Sequence, residues 1–398
     1  MKGLTPGKVQ SFATQTLALD GYFRRPGDGR KRPAIPARAL VWAFLLGVIL
    51  REHAFYAVER LVRSSARRAL CVTRRFGHDA LAYFTERQDP AATRRALYAA
   101  LRRAKRQKAF ASTRWIGIVL DGTGACRVTK EPCDACHPTT NADDEITSYH
   151  HHFSLAAVVG GGLVLPVDAE PYGPGDSEYA ASQRLLRRCV AGLGQRFAAY
   201  VAADGEYATA PFLHAVGETG LRVVARLKGN VPNLFHAAER RFCRRPPTAV
   251  FQVDRDRVEV WDAENFDPWD GLNWPTVRVL RYRQHKPDGS VVEAYWLTDW
   301  PTGQVGSRAL YLMAKSRWNI ENGGFNDGKN RYGMEHTHHH HERSLLNCWL
   351  LIALAMTIER LYRQRHLHRG SHPVRSPKDL CFLLWLSLGR PTIAADTS

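Results

Sequence analysis

Three acidic residues have the types and settings that metal-ion chemistry requires. Asp121 and Asp204 each end a short apolar run, and Glu321 lies much later, in Arg317-Trp-Asn-Ile-Glu321, which is typical of a helix start. Carboxylates at two strand ends and on a distant helix can converge on a pair of Mg²⁺ ions, which prefer oxygen ligands. Because two such ions promote in-line attack on a phosphodiester, the acids predict a site for phosphodiester chemistry.

The composition favours a polyanionic partner. The 398 residues include 56 Lys and Arg against 38 Asp and Glu, which gives a formal net charge of +18 and points to nucleic acid. The eight Cys are scattered and no signal peptide is evident, so the sequence predicts a cytoplasmic location. The apolar runs at 39–50 and 345–357 are shorter than the roughly 20 residues of a membrane span, and we interpret them as buried helices.

The elements that must position the acids follow from hydrophobic periodicity. Residues 1–110 predict helices, among them 39–63 and a basic helix at 94–108. Strands are then predicted at 115–121, 153–159 and 163–167, followed by a helix at 178–191, a strand at 199–203, a helix at 208–218 and a strand at 221–227. Glycines 160–162 predict a hairpin between the second and third strands. The predicted order is therefore three strands, a helix, a strand, a helix and a strand, which is the order of the ribonuclease-H-like fold.

The predicted fold class is therefore α/β, with a ribonuclease-H-like catalytic core that a β-rich insertion interrupts. The predicted regions are a helical, basic, DNA-end-binding region at 1–110, the first part of the core at 111–235, the insertion at 236–308, and the second part of the core with C-terminal helices at 309–398. Within the insertion, strands are predicted at 248–261, 276–284 and 290–298. For its five tryptophans, core packing is the preferred interpretation over stacking on a base.

Basic residues near the acids and on the first region are candidate DNA contacts. Arg317 and Glu321 are four apart and share a helix face, so Arg317 would form an ion pair or bind a phosphate. Lys329 is a second candidate phosphate ligand. Arg226 and Lys228 follow the last core strand and suit either DNA binding or the capping of a strand end. On the basic helix the candidates are Arg102, Arg103 and Arg106, with a solvated helix face as the alternative.

Cys133-Asp-Ala-Cys136 has the two-residue spacing of half a zinc site. Candidate partners are Cys126 and one of three consecutive histidines, namely His150, His151 and His152. A structural Zn²⁺ in the loop after Asp121 is the form that suits this spacing best. The histidine run at 338–341 is internal to the chain, and its role is open.

Several segments together resemble the DDE transposases of bacterial insertion sequences, in the group with a β-rich insertion before the catalytic Glu. The segments are Asp121-Gly-Thr, Ala203-Asp204-Gly-Glu-Tyr, Arg317-Trp-x-Ile-Glu321-Asn, Phe325-Asn and Lys329-Asn330. The likeness covers about residues 111–360. This group has a Tyr-Arg-Glu-Lys signature, and the chain departs from it twice. Ala314 stands where the Tyr is expected, and Lys329 is one residue farther from the Glu than usual.

The resemblance implies a transposase that binds two Mg²⁺ ions per site through Asp121, Asp204 and Glu321, with Mn²⁺ as a substitute. Such an enzyme hydrolyses the phosphodiester at a transposon end and joins the freed 3′-hydroxyl to target DNA. Its partners would be double-stranded DNA with terminal inverted repeats and a second copy of the chain in a synaptic homodimer, without a membrane, in the nucleoid region of a bacterial cytoplasm. Two alternatives are a transposase-derived DNA-binding protein that no longer cuts, and a stand-alone metal-dependent endonuclease.

Overall fold

The N-terminal part of the chain is built of helices. The structure, a computed structural model, describes residues 4–24, 27–130, 132–368 and 373–389. The first six helices are α1 (Pro6–Ser11), α2 (Asp20–Arg24), α3 (Ala37–Ile49), α4 (Phe55–Arg63), α5 (His78–Arg87) and α6 (Pro90–Arg106), with a π-helical turn at Phe12–Thr16 and a 3₁₀ turn at Ser65–Arg68. They pack on one another and on a long C-terminal helix.

Local signals explain where two of these helices begin and end. Pro90 occupies the first turn of α6, and the Ala91 N–H donates to the Asp89 side chain, which caps the helix. The sequence predicts helix throughout 39–63, but the structure divides this stretch into α3 and α4. The reason is that Arg51 adopts a left-handed backbone with φ of 68°, which a continuing helix does not allow.

One mixed sheet of ten strands forms the centre of the molecule. The strands are β1 (Gly117–Val128), β2 (His137–Thr140), β3 (Ile146–Gly160), β4 (Leu163–Tyr172), β5 (Tyr200–Ala203), β6 (Arg222–Leu227), β7 (Ala249–Val253), β8 (Asp256–Phe266), β9 (Val277–His285) and β10 (Val291–Thr298). Their order across the sheet is β2–β3–β1–β5–β6–β10–β9–β8–β7, and β4 also pairs with β3. The β1–β5 and β5–β6 pairs are parallel and the others are antiparallel.

Helices connect the parallel strands. The chain runs from β4 through α7 (Glu178–Leu193) to β5, and from β5 through α8 (Ala210–Glu218) to β6. The β3–β4 hairpin closes at Gly161 and Gly162, whose φ angles of 59° and 79° suit glycine. The observed elements follow the predicted order, with β2 as an added strand beside β3.

The predicted insertion continues this sheet instead of forming a separate one. After α9 (Pro232–Phe242), β7 to β10 follow, and β10 pairs antiparallel with β6. The sequence predicts one strand at 248–261, but the structure has the β7–β8 hairpin, because Asp254 turns the chain with φ of 54°. Three of the five insertion tryptophans, Trp261, Trp296 and Trp300, are buried in the core, and Trp269 and Trp274 are partly buried.

The C-terminal part returns to the N-terminal helices. It comprises α10 (Ser307–Lys315), a π-helical segment (Ile320–Asn326), α11 (Asp327–Tyr332), α12 (Glu342–His366) and α13 (Pro377–Leu388). In the described part of the chain, α12 is the one helix long and apolar enough to cross a membrane, and its apolar stretch is buried entirely within the protein. It packs against α3, α5, α6 and β4, which explains why it is apolar on all sides.

Candidate active site

Asp121 and Asp204 reach the same edge of the sheet because their strands are parallel and in register. Val119 of β1 pairs with Ala202 of β5, and each acid follows two residues later. Side chains alternate between the two faces of a sheet along each strand. Two residues that each follow a paired residue by two positions therefore point to the same face. Asp121 still belongs to β1, whereas Asp204 follows the last residue of β5. The backbone therefore places both residues at the same end of the parallel β1–β5 pair and on one face of the sheet.

Arg317 links Glu321 to Asp121. Its Nη2 donates to Glu321 Oε1 at 2.5 Å, and its Nη1 lies 3.7 Å from Asp121 Oδ2. The ion pair expected from the four-residue spacing is present. The Arg317 side chain is only 4% exposed, so in this conformation its charge faces the acids instead of solvent. The guanidinium group thus neutralises part of the negative charge that the acids bring together.

A fourth acid, Glu178, adjoins the cluster. It is the first residue of α7, its Oε1 accepts from the Tyr207 hydroxyl at 2.5 Å, and its Oε2 accepts from the Tyr172 hydroxyl at 3.3 Å. Its carboxylate lies over Gly122, where an added Cβ would be 1.9 Å from Oε2. Glu178 is not a candidate from the sequence, because an acid in the first turn of a helix is ordinarily explained by the helix dipole.

Burial has the largest effect on the pKa of Asp121. Burial raises the pKa of Asp121 to about 7; Arg317 opposes this rise, and the carboxylates of Glu321 and Glu178 add to it. The ionised carboxylate of Asp121 is therefore disfavoured in the folded protein mainly because it is removed from water. A cation bound beside Asp121 would favour the ionised form.

The pKa of Asp204 is lowered, in contrast to that of Asp121. Burial acts to raise its pKa, but the hydrogen bond from Lys228 Nζ, at 2.8 Å, and the charge of Arg317 hold the pKa of Asp204 below its ordinary value. Its second oxygen, Oδ1, is buried, and nothing in the described part of the chain hydrogen-bonds to it. A buried acceptor without a partner is costly, so this oxygen is suited to receive a ligand.

The other candidate basic residues contact the protein itself. Arg226 lies over the Trp318 ring, with 5.5 Å between the guanidinium carbon and the ring centroid. Lys329 Nζ donates to the Gly124 carbonyl at 2.9 Å and lies 3.3 Å from Glu335 Oε2. Lys329 thereby joins α11 to the strand that carries Asp121.

On the basic helix α6, two of the three candidate DNA contacts are used within the fold. Arg102 Nη1 donates to the Gly192 carbonyl at 2.8 Å, and Arg103 Nε donates to the Thr16 carbonyl at 3.2 Å. Arg106 is exposed. Part of the basic character of α6 therefore serves packing against α7 and the N-terminal turn.

The acid cluster has the donor types that Mg²⁺ prefers. Asp121, Asp204 and Glu321 offer carboxylate oxygens, the unpartnered Oδ1 of Asp204 has spare acceptor capacity, and burial raises the pKa of Asp121, whose ionised form a cation would favour. These observations fit a divalent cation. The carboxylate oxygens of the three acids do not converge on a single position. The Arg317 guanidinium instead supplies positive charge between Asp121 and Glu321.

The predicted half zinc site has two further candidate ligands. Cys133 and Cys136 lie with His151, one of the three candidate histidines, and with His340, from the histidine run whose role the sequence leaves open. The other candidate partner, Cys126, is buried elsewhere, with its Sγ 3.9 Å from the Met334 carbonyl oxygen.

No protein-family model matches the sequence, and no curated protein matches it. Among solved structures, the chain is similar to a cryo-EM structure of piggyBac transposase in a synaptic complex with hairpin DNA. The two chains are 10% identical, the TM-score is 0.45, and the alignment covers 97% of this chain and 80% of that one.

Proposed function

We propose that this protein is a DDE transposase with a ribonuclease-H-like catalytic core. The observation that carries the proposal is the buried Arg317, which pairs with Glu321, lies 3.7 Å from Asp121 Oδ2 and lowers the pKa of Asp204 through its charge. The strand order β4–β3–β1–β5–β6, with β1, β5 and β6 parallel, supports the core assignment, because that fold carries carboxylates on the first strand and at the end of the fourth. The net charge of +18 supports DNA as the substrate.

In the proposed reaction, the oxygen of a water molecule attacks the phosphorus at a transposon end, and the bond to the 3′ oxygen breaks. The oxygen of the freed 3′-hydroxyl then attacks a phosphorus of target DNA in the same geometry, and the bond from that phosphorus to the target strand's own 3′ oxygen breaks, which leaves a 3′-hydroxyl on the target. Two Mg²⁺ ions held by Asp121, Asp204 and Glu321 would supply activation of the attacking oxygen and stabilisation of the leaving oxygen. Lys228 orients Asp204, and Glu178 adds negative charge that favours cation binding.

The π-helical segment supports the assignment of Lys329 to the family signature. A π-helical turn holds more residues than an α-helical turn. The extra residue between Glu321 and Lys329 can therefore be accommodated inside the helix, with Lys329 still facing β1. Ala314, which stands at the position of the family's Tyr, is buried and has no hydroxyl group, so the proposal assigns no phosphate contact there.

The test is cleavage of a plasmid that carries the gene with its own flanking DNA, in Mg²⁺ and in Mn²⁺. We expect Asp204→Asn to lower the cleavage rate by about 10³-fold or more, because a metal site supplies several kcal/mol of transition-state stabilisation. Glu206→Gln is the matched control, since Glu206 is an exposed acid two residues away. DNA binding should survive in both variants. Cleavage that persists in Asp204→Asn would contradict the assignment of the site.

A second substrate separates the proposal from its alternatives. A short duplex of the element end with a free 3′-hydroxyl is incubated with supercoiled target DNA and Mg²⁺. Joining of the two supports a transposase, whereas cleavage without joining indicates a stand-alone endonuclease. Binding without either reaction, in both metals, indicates a DNA-binding protein.

A further inference from the structure

Four metal-binding side chains from three distant segments converge away from the acid cluster. Cys133 and Cys136 lie in the loop between β1 and β2, His151 lies on β3, and His340 lies just before α12. Their Sγ and Nε2 atoms all lie within 4.8 Å of one another. In the parts of the chain that the structure describes, no other group of three or more His, Cys, Asp or Glu side chains converges in this way.

Five of the six distances between the ligand atoms are close to those of a tetrahedral zinc site. Bonds of about 2.3 Å from zinc to sulfur and about 2.0–2.1 Å to nitrogen separate tetrahedral ligands by about 3.8 Å (S–S), 3.6 Å (S–N) and 3.4 Å (N–N). The Cys133–Cys136 Sγ separation is 3.7 Å, and His151 Nε2 lies 3.5 Å and 3.4 Å from the two sulfurs. His340 Nε2 lies 3.4 Å from the Cys136 sulfur and 3.2 Å from His151 Nε2. The sixth pair, Cys133 Sγ and His340 Nε2, lies within 4.8 Å, so the four atoms surround one space that an ion could occupy.

The neighbours of His151 have other partners. His150 Nδ1 is 3.0 Å from the Thr139 hydroxyl, and the His152 ring stacks on His137 with 4.2 Å between centroids. Strand geometry explains this selection, because His150 and His152 point to the face opposite His151. His151 is only 2% exposed.

In the histidine run at 338–341, likewise, only one side chain lies near the cysteines. His339 and His341 flank Glu86, with Nε2 to carboxylate distances of 3.7 Å and 3.9 Å. The His338 ring contacts the aromatic rings of α3 and α4. His340 alone among the four approaches the cysteines, so the run supplies one ligand and not a flexible metal-binding tract.

We propose that Cys133, Cys136, His151 and His340 bind one Zn²⁺ ion as a closed structural site. Two thiolates and two imidazoles select zinc over Mg²⁺, which prefers oxygen, and four protein ligands leave no position for a catalytic water. The ion would tie the loop after β1 to the segment between α11 and α12. It would thereby hold the strand of Asp121 against the part of the chain that carries Glu321. None of the four ligands belongs to the acid cluster, so this proposal and the proposed function can fail separately.

A disulfide between Cys133 and Cys136 is the chemical alternative. Its sulfurs would lie about 2.05 Å apart, and it would need no imidazole nitrogen nearby. The observed separation of 3.7 Å and the two convergent histidines favour the metal.

The first experiment measures metal in the full chain, purified with reductant and without chelator. We expect one zinc per chain by elemental mass spectrometry. Replacement of zinc by Co²⁺ should give the visible absorption of a tetrahedral cobalt–thiolate centre. This spectrum is recorded on the wild-type chain and so does not depend on whether a variant folds. A reduced chain that holds no zinc and takes up neither Zn²⁺ nor Co²⁺ overturns the proposal, as does a Cys133–Cys136 disulfide found by mass spectrometry.

The second experiment tests His340, the ligand that sequence spacing does not reveal. His340→Ala should lower zinc affinity by at least about 100-fold and change the cobalt spectrum, because a ligand and not a peripheral contact is lost. His339→Ala, a change in the same segment, should keep the zinc and the spectrum. Equal zinc affinity and unchanged spectra in both variants would show that His340 is not a ligand. Cys136→Ser should lose the cobalt–thiolate absorption in part or whole.

Discussion

At the residue scale, Asp121 and Asp204 should contribute to stability with opposite signs. The pKa of Asp121 is raised to about 7, so its ionisation destabilises the folded protein increasingly from about pH 4 to pH 7 and fully above pH 7. We expect Asp121→Asn to raise the free energy of unfolding at pH 8 by about 1–3 kcal/mol, and by about a third as much at pH 5. Urea denaturation at both pH values, without divalent metal, measures the difference in free energy of unfolding between the variant and the wild type.

Asp204→Asn serves as the control for that measurement. The pKa of Asp204 is lowered, so its ionised form stabilises the fold at pH values above its unfolded pKa and this contribution is lost in acid. The substitution should therefore destabilise the protein at pH 8, where Lys228 loses an ionised partner. If Asp121→Asn is no more stable than the wild type at pH 8, the inferred cost of burying the ionised Asp121 carboxylate is wrong.

Glu178 should influence how pH controls metal binding. A carboxyl group must lose its proton to bind a divalent cation, and Glu178 raises the pKa of Asp121. We expect Glu178→Gln to shift the midpoint of Mn²⁺ binding to lower pH, by up to about one unit, and to weaken binding at pH 8. Calorimetric titration across pH 5 to pH 8 measures both effects.

Tyr207→Phe is the matched control, because it removes a hydrogen bond to Glu178 and keeps the charge. It should leave the midpoint nearly unchanged. Identical midpoints for the wild type and Glu178→Gln would remove Glu178 from the proposed metal site.

At the element scale, the contact between β1 and the start of α7 depends on one glycine. A Cβ at residue 122 would lie 1.9 Å from Glu178 Oε2, whereas a Cβ at Gly124 would meet its nearest neighbour, His152, at 3.5 Å. We expect Gly122→Ala to destabilise the protein by about 1–3 kcal/mol through overpacking, and Gly124→Ala to have a smaller effect. Thermal and urea unfolding compare the two variants.

A double-mutant cycle identifies the cause of that loss. In a Glu178→Ala background the obstructing carboxylate is absent, so Gly122→Ala should cost much less than in the wild type. Equal costs in both backgrounds would show that the backbone of β1, and not the approach of α7, requires glycine at this position.

At the scale of the whole molecule, the N-terminal helices and the sheet share one core. α12 packs against α3, α5 and α6 on one side and β4 on another. Arg51, which follows α3, pairs at 3.2 Å with the fully buried Glu359 of α12. We expect a single unfolding transition in urea, with tryptophan fluorescence and far-ultraviolet circular dichroism coinciding.

Arg51→Leu tests the shared core directly. It leaves the buried Glu359 carboxylate with Arg363 as its remaining ion-pair partner in the described structure, so we expect a loss of about 1–3 kcal/mol. Both spectroscopic probes should report the same loss. Separate transitions, or a loss seen by one probe alone, would indicate that the N-terminal helices unfold independently of the sheet.

The sequence alone determined most of the local elements and which acidic and basic residues are candidates for the site. Apolar periodicity identified β1, the β3–β4 hairpin, α7, β5, α8 and β6, because side-chain burial repeats within a few residues. It placed Asp204 correctly after the end of its strand, whereas Asp121, predicted at a strand end, lies within β1, which continues to Val128. The four-residue spacing of Arg317 and Glu321 offered the observed ion pair as an alternative to phosphate binding. The sequence did not predict the end of a helix before Arg51 or the turn at Asp254. Residues other than glycine rarely adopt the left-handed backbone, so their type does not indicate where a helix or a strand is interrupted.

Only the tertiary structure decided which distant side chains meet. It brought Glu178 to Asp121, paired Lys228 with Asp204, and turned Arg317 inward. It also chose one histidine from each of two runs, and placed His340 beside Cys136, 204 positions away. The physical reason is that strand register and helix packing set these distances, and both depend on contacts between segments that local periodicity does not contain.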